Sequence, residues 1–208
     1  MATIYTIGHS TRTLEELVAT LEAHGIRTLV DIRSFPMSRR LPHFNRESLE
    51  VELPKHAITY IWMKELGGYR KKICSDSPNT GLRSGGFRNY ADYMLTEEFA
   101  RAIERLLEIA QETAGPSTRA RPPRSRSAEE CGRSLGMTVG ESSGNTAIMC
   151  AERLYFRCHR MLVSDYLTAH GHTVLHIDDE KHPPREHKLM AEARLVDGKL
   201  VYDAQQLF

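Results

Sequence analysis

The chain has 208 residues, 40% of them hydrophobic and 26% charged, with a formal net charge of +1, an ordinary globular composition that predicts one domain over 1–208 with a substantial core. Four cysteines, Cys74, Cys131, Cys150 and Cys158, none in a CxxC pair, exclude the dense disulfide framework of a small secreted domain and argue against a structural zinc finger. No window approaches the roughly 18 apolar residues of a membrane span and "MATIYTIGHS" has neither a basic leader nor a signal-length apolar run, so a soluble, cytoplasmic protein without a membrane partner is expected.

In chain order, "TIYTIGH" is a β-branched run that reads as a strand, and "TLEELVATLEAHG" carries a helical stripe at Leu14, Leu17, Val18 and Leu21 that closes on Gly25. "TLVDIR" reads as a second, buried strand. After a loop with Pro36 and Pro42, "NRESLEVELPKHA" starts a helix capped by Asn45 and broken near Pro54. "TYIWMKELGG" reads as a third strand ending in a glycine pair, and the run from Asn89 to Glu112 as one or two helices, amphipathic through Phe99, Ile103, Leu106 and Leu107. "TAIMC" is a fourth strand, "RCHRMLVSDYLTAHG" a helix, and "HTVLHID" a fifth strand. "EARLVDGKLVYD" is a hairpin turning at Asp197-Gly198.

Strand and helix alternate, which predicts an α/β fold with a mainly parallel sheet and helices on both faces. Five strands fall short of the eight of a TIM barrel, which leaves an incomplete TIM-like barrel as the alternative. Residues 113–145, rich in Pro, Ser, Gly and Arg, cannot bury a face and are expected to form a disordered insertion, with Cys131 incidental.

In an open α/β sheet, ligands bind beyond the carboxyl ends of the strands. Those ends carry Gly8-His9-Ser10, Asp31-Ile32-Arg33, Glu65-Leu66-Gly67-Gly68, Cys150-Ala151-Glu152 and His176-Ile177-Asp178, so titratable groups share one rim if the strands are parallel. Cys150 closes a buried strand and reads first as a small core residue. Cys158 stands near a helix start among Arg157, His159 and Arg160, where a thiolate is favoured. The same place suits phosphate. Neither cysteine has the Cys-x5-Arg spacing of a phosphatase loop, and a rhodanese loop fails similarly. Glu152 is the candidate acid or base, or a partner of Arg160. Asp31 is a candidate base, metal ligand or buried partner of an arginine, and His9 a base, ligand or structural group. Arg33, Ser38, Arg39, Arg40, His43 and Asn45 crowd a proline-braced loop. From Arg33 to Arg88 there are 11 Lys/Arg against 5 Asp/Glu, so this segment carries +6 and the rest −5, compatible with phosphates or with a solvated surface. Glycines beside cations and tyrosines in "ELGGYRKK" and "SGGFRNYADYM" fit backbone approach to phosphate and base stacking, or plain packing.

The motifs "TIGHSTRTLEELVATL", "LVDIRSFPMSRRLPHFN", "ELGG", "GGFRNYADYM" and "CAERLYFRCHR", in this order and across nearly the whole chain, resemble the bacterial and archaeal family called domain of unknown function 488. The resemblance implies signature positions at Gly8, His9, Ser10, Asp31, Arg33, Pro36, Ser38, Pro42, Phe44, Leu66, Gly67, Gly68, Cys150, Glu152, Cys158, His159 and Arg160. It implies no reaction. Residues 113–145 are longer and more polar than the family's usual link.

These readings lead first to an enzyme acting on a phosphate-bearing substrate, a nucleotide or nucleic acid. Arg33, Arg39 and Arg160 would hold anions, with Ser38, Gly67, Gly68, Cys150 and His159 lining the substrate. Glu152 or Asp31 would move a proton, and Cys158 would serve as nucleophile or ligand. No cofactor is expected beyond a divalent metal, which His9, Asp31, Glu152 and a cysteine offer without diagnostic spacing. The partner is an anionic small molecule or nucleic acid, and the oligomeric state is open. The alternatives are a nucleic-acid-binding module without catalysis and a Cys150–Cys158 redox switch, which needs the two α-carbons within about 7 Å.

Overall fold

A computed structural model describes residues 1–115 and 143–203. Its centre is a six-stranded sheet of order β3-β2-β4-β1-β5-β6. The strands are β1 (Thr3–Gly8), β2 (Ile26–Asp31), β3 (Thr59–Trp62), β4 (Asn145–Cys150), β5 (Thr173–His176) and β6 (Arg185–Glu186). The first five are parallel and β6 pairs antiparallel to β5. With β3 and β6 as edges the sheet is open, so the α/β expectation holds and the strands do not close into a barrel.

Helices cover both faces because the strands alternate apolar side chains above and below. Tyr5, Ile7, Leu29, Ala147 and Met149 pack on α1 (Leu14–Ala23) and α2 (Arg46–Glu52). Ile4, Val30, Ile148 and Cys150 pack on α3 (Gly85–Met94), α4 (Glu97–Ala114) and α5 (Arg160–Ala169). Runs apolar on both faces are the mark of strands in a covered parallel sheet. Two helix starts are capped by side chains: Thr13 and Glu16 form a capping box on α1, and Thr96 caps α4.

The differences from expectation are local. Asn45 stands at the start of α2 but does not cap it, since its Oδ1 accepts the Ser38 N–H at 2.6 Å and braces the loop. β3 stops at Trp62, so Glu65 and Leu66 lie in a 3-10 turn and Gly67-Gly68 in the loop after it. The short β6 has no counterpart in the sequence pattern. The hairpin β7 (Ala193–Val196) and β8 (Lys199–Tyr202) turns on Asp197 and Gly198, both at positive φ, as an Asp-Gly turn requires. The expected insertion lies outside the described residues between 116 and 142. Its flanks are ordered: Thr113 and Ala114 finish α4, Asn145 begins β4, and the Gly144 N–H donates to the Thr113 carbonyl at 2.9 Å.

Candidate functional site

The register places the strand ends level. Gly8 is opposite Cys150, Asp31 opposite both Met149 and Trp62, and Thr6 opposite His176. The candidates therefore share one rim, but side-chain alternation divides them between its two sides.

On the α1/α2 side, Asp31 is fully buried and accepts from the Arg33 backbone, from Arg33 Nε and Nη2, and from the Tyr60 hydroxyl at 2.7 Å. Burial acts against the Arg33 charge, but Asp31 outweighs it and holds the guanidinium protonated. Arg33 also donates to the Phe44 carbonyl at 2.8 Å and lies 3.2 Å from His9 Nε2. Desolvation, with Arg33 beside it, lowers the His9 pKa to about 4, so at neutral pH its ring is uncharged and accepts from Arg33. The Asp31 carboxylate is saturated and Arg33 has no free face. Of the roles left open by the sequence, buried ion-pair partner is the one the structure gives Asp31. Ser38 braces its loop by accepting from the Leu41 N–H, and Arg39 is exposed.

The α3/α4/α5 side carries the other set. An open cleft of about 500 Å³ is lined by Gly68, Ser84, Gly86, Phe87, Cys150, Glu152, Arg157, Cys158 and His159. At its floor His159 Nδ1 lies 3.5 Å from Cys158 Sγ and 3.9 Å from Cys150 Sγ. The His159 Nε2–H donates to the Ile32 carbonyl at 3.0 Å, which leaves Nδ1 as the lone-pair nitrogen facing both sulfurs. The thiols are free. They titrate as a pair: the hydrogen bond from Cys150, with His159 and Arg160 against the cost of burial, holds Cys158 below the ordinary thiol range, and the same bond together with burial pushes Cys150 up. Cys158 stands two residues before α5, and its sulfur accepts from the Arg160 N–H at 3.5 Å.

The glycines of this rim are required by close approach. A Cβ on Gly68 would sit 2.4 Å from His159 Nδ1, and one on Gly8 would sit 2.0 Å from the Glu152 carbonyl. Gly67 meets Ser34 in the same way, 2.6 Å from its Oγ.

Glu152 is exposed and its carboxylate accepts from the Leu154 N–H. The ion pair with Arg160, the alternative role open to it, does not form: Arg160 Nη2 donates instead to the Glu152 and Arg153 backbone carbonyls. Arg160 is fully buried and Nη1 donates to Thr6 Oγ1 at 3.2 Å. Its other end reaches a buried polar chain that sequence reading missed. Thr6 contacts His176 Nδ1 at 2.7 Å, His176 Nε2 contacts His187 Nδ1 at 2.9 Å, and His187 Nε2 contacts Asp165 at 2.8 Å. The chain of contacts runs from the buried Arg160 guanidinium to the buried Asp165 side chain. Burial, with His187 and Arg160 nearby, lowers the His176 pKa to about 3, which keeps the ring neutral. Only the fold brings Thr6 beside His176, 170 residues away.

The model of the family described as Domain of unknown function DUF488 matches residues 13–117. The chain belongs to this family. The match begins after Gly8, His9 and Ser10, covers Asp31, Arg33, Gly67, Gly68 and helices α1 to α4, and ends before Cys150, Glu152, Cys158 and His159. No curated protein matches the chain. No solved structure matches it either. No helix among the described residues is long and apolar enough to cross a membrane.

Proposed function

We propose that the chain is an enzyme acting on a phosphate-bearing substrate, a nucleotide or a nucleic acid, in the cleft between the end of β4, the loop after β3 and the start of α3. The observation that carries this reading is the convergence of a buried sulfur–imidazole centre with an exposed carboxylate and an exposed cation in one cleft. The Cys150–Cys158–His159 group is the reacting centre. Glu152 is the proton-transfer group, free to move because nothing but one backbone amide holds it. Arg157 holds the phosphate, assisted by the first turn of α3, which carries no acidic residue. Arg33 and Arg160, engaged internally, act through the shape of the rim rather than on the anion. Beside Gly68, the exposed rings of Phe35 and Tyr69 lie 6.1 Å apart and offer a ledge on which a base can stack.

The test is turnover and binding across nucleoside mono-, di- and triphosphates and short single strands. Glu152→Gln is expected to lose turnover with binding retained, and Arg157→Ala to weaken binding without changing the fold. Binding that falls steeply with salt and is untouched by Glu152→Gln, with no turnover of any compound, would replace the enzyme by a nucleic-acid-binding module.

A further inference from the structure

The geometry points to a metal centre: Cys150 Sγ, Cys158 Sγ and His159 Nδ1 hold a divalent cation of the zinc class, with a fourth position opening into the cleft beside Glu152. All three ligand atoms lie within 4.8 Å of one another. Bond lengths of about 2.3 Å to sulfur and 2.0–2.1 Å to nitrogen put tetrahedral S···N edges at about 3.6 Å, and the observed edges are 3.5 and 3.9 Å. The two sulfurs and the one Nδ1 lone pair converge on a common point, both sulfurs at similar range from the nitrogen, which is the arrangement a shared cation takes.

The surroundings fit a ligand set. His159 Nε2 is anchored on the Ile32 carbonyl, the outer contact that orients a metal-bound imidazole. The Arg160 N–H points at Cys158 Sγ, as amides do toward metal thiolates. Gly68 gives the imidazole the room it needs. Two thiolates and an imidazole select zinc over magnesium or calcium, which take oxygen ligands. Three protein ligands with one side open to a cleft is the pattern of a catalytic zinc site, where structural sites are closed by four. The metal's ligands here are not those the sequence suggested: His9 and Asp31 are locked on the other side of the sheet, and Glu152 lines the cleft without belonging to the ligand group.

This inference deepens the proposed function by naming its cofactor, but the ion's binding is measurable without any substrate. Reduced, full-length protein stripped with chelator, incubated with zinc and dialysed should retain about one equivalent by elemental analysis. The cobalt-loaded protein should show thiolate-to-cobalt charge transfer and the intense d–d bands of a tetrahedral site. Cys150→Ser and Cys158→Ser should each cut retention at least tenfold, whereas Cys74→Ser and Glu152→Gln should keep it. The wild-type cobalt spectrum reports the sulfur ligands even if a cysteine variant fails to fold. Retention below a tenth of an equivalent, or a cobalt spectrum without charge transfer, overturns the metal centre. A stoichiometric zinc site in a protein that turns over no phosphate compound keeps the metal and removes the substrate class.

Discussion

The two sides of the strand-end rim hold similar residue types and use them in opposite ways. On the α1/α2 side Asp31, Arg33, His9 and Tyr60 saturate one another, and every charge meets its partner inside the group. On the α3/α4/α5 side Cys150, Cys158 and His159 meet at an open cleft, with Glu152 and Arg157 exposed at its edge. A saturated set has nothing left to offer a ligand, so it stabilises and shapes the rim. The second set keeps an exposed carboxylate and an exposed cation beside its sulfurs and imidazole, so those groups face whatever enters the cleft.

The largest effect that would break this comparison is expected at Asp31. Asp31→Ala leaves the Arg33 guanidinium buried and unpaired and should cost about 3–5 kcal/mol, a fall in Tm on the order of 10 °C in a chain of this size. Glu152→Gln should leave Tm within a degree or so while removing turnover. The reverse pattern in the two melting curves and assays would exchange the roles of the two sides.

Next comes Gly68→Ala, whose added methyl has to displace the His159 ring. Zinc affinity should fall about 10–100-fold, the usual cost of disturbing a ligand's support, with a loss of stability of about 1–3 kcal/mol from overpacking. Competition with a chelator and thermal unfolding read the two effects separately. A related measurement is thiol alkylation: Cys158 should react slowly in zinc-loaded protein and faster once the ion is chelated, and equal rates would count against ligation.

A smaller effect sharpens the comparison through pH. His9 and His176 stay neutral in the folded protein down to about 4 and about 3, whereas in the unfolded chain they take protons near 6.5. The unfolded state then binds more protons between those values. Stability from these rings is complete above about pH 6.5 and is lost as pH falls toward 4, each contributing up to about 1.4 kcal/mol per pH unit. Urea midpoints measured from pH 7 to 4.5 should fall accordingly, and His9→Asn should flatten part of the slope. The smallest effect is at Cys74, outside both groups: Cys74→Ser should change neither Tm nor zinc content.

Much of the architecture was legible in the chain. The stripe of Leu17, Val18 and Leu21 announced α1, and the unbroken apolar run through Leu29 and Val30 announced a covered strand, because apolar periodicity reports which faces are buried. The Asp-Gly turn announced the last hairpin. Boundaries set by side-chain competition were not legible: Asn45 looked like a cap, but Ser38 takes its oxygen. The division of the site also escaped, since His9, Asp31, Arg33, Cys150 and Cys158 were all correctly set at or near strand and helix ends and yet belong to two groups.

The sequence by itself determined the alternation of the main strands and helices and the rim on which the polar residues gather, because local periodicity and turn chemistry suffice for these, and its motifs carried the resemblance to the family. The tertiary structure alone decided which of those polar residues pair with one another and which line the cleft. It brings Asp31 to Tyr60, His159 to Ile32 and Thr6 to His176, contacts across 29, 127 and 170 residues. Whether a carboxylate or a thiol is a stabilising partner or a reactive group depends on what saturates its valences, and those partners arrive only when the sheet has formed.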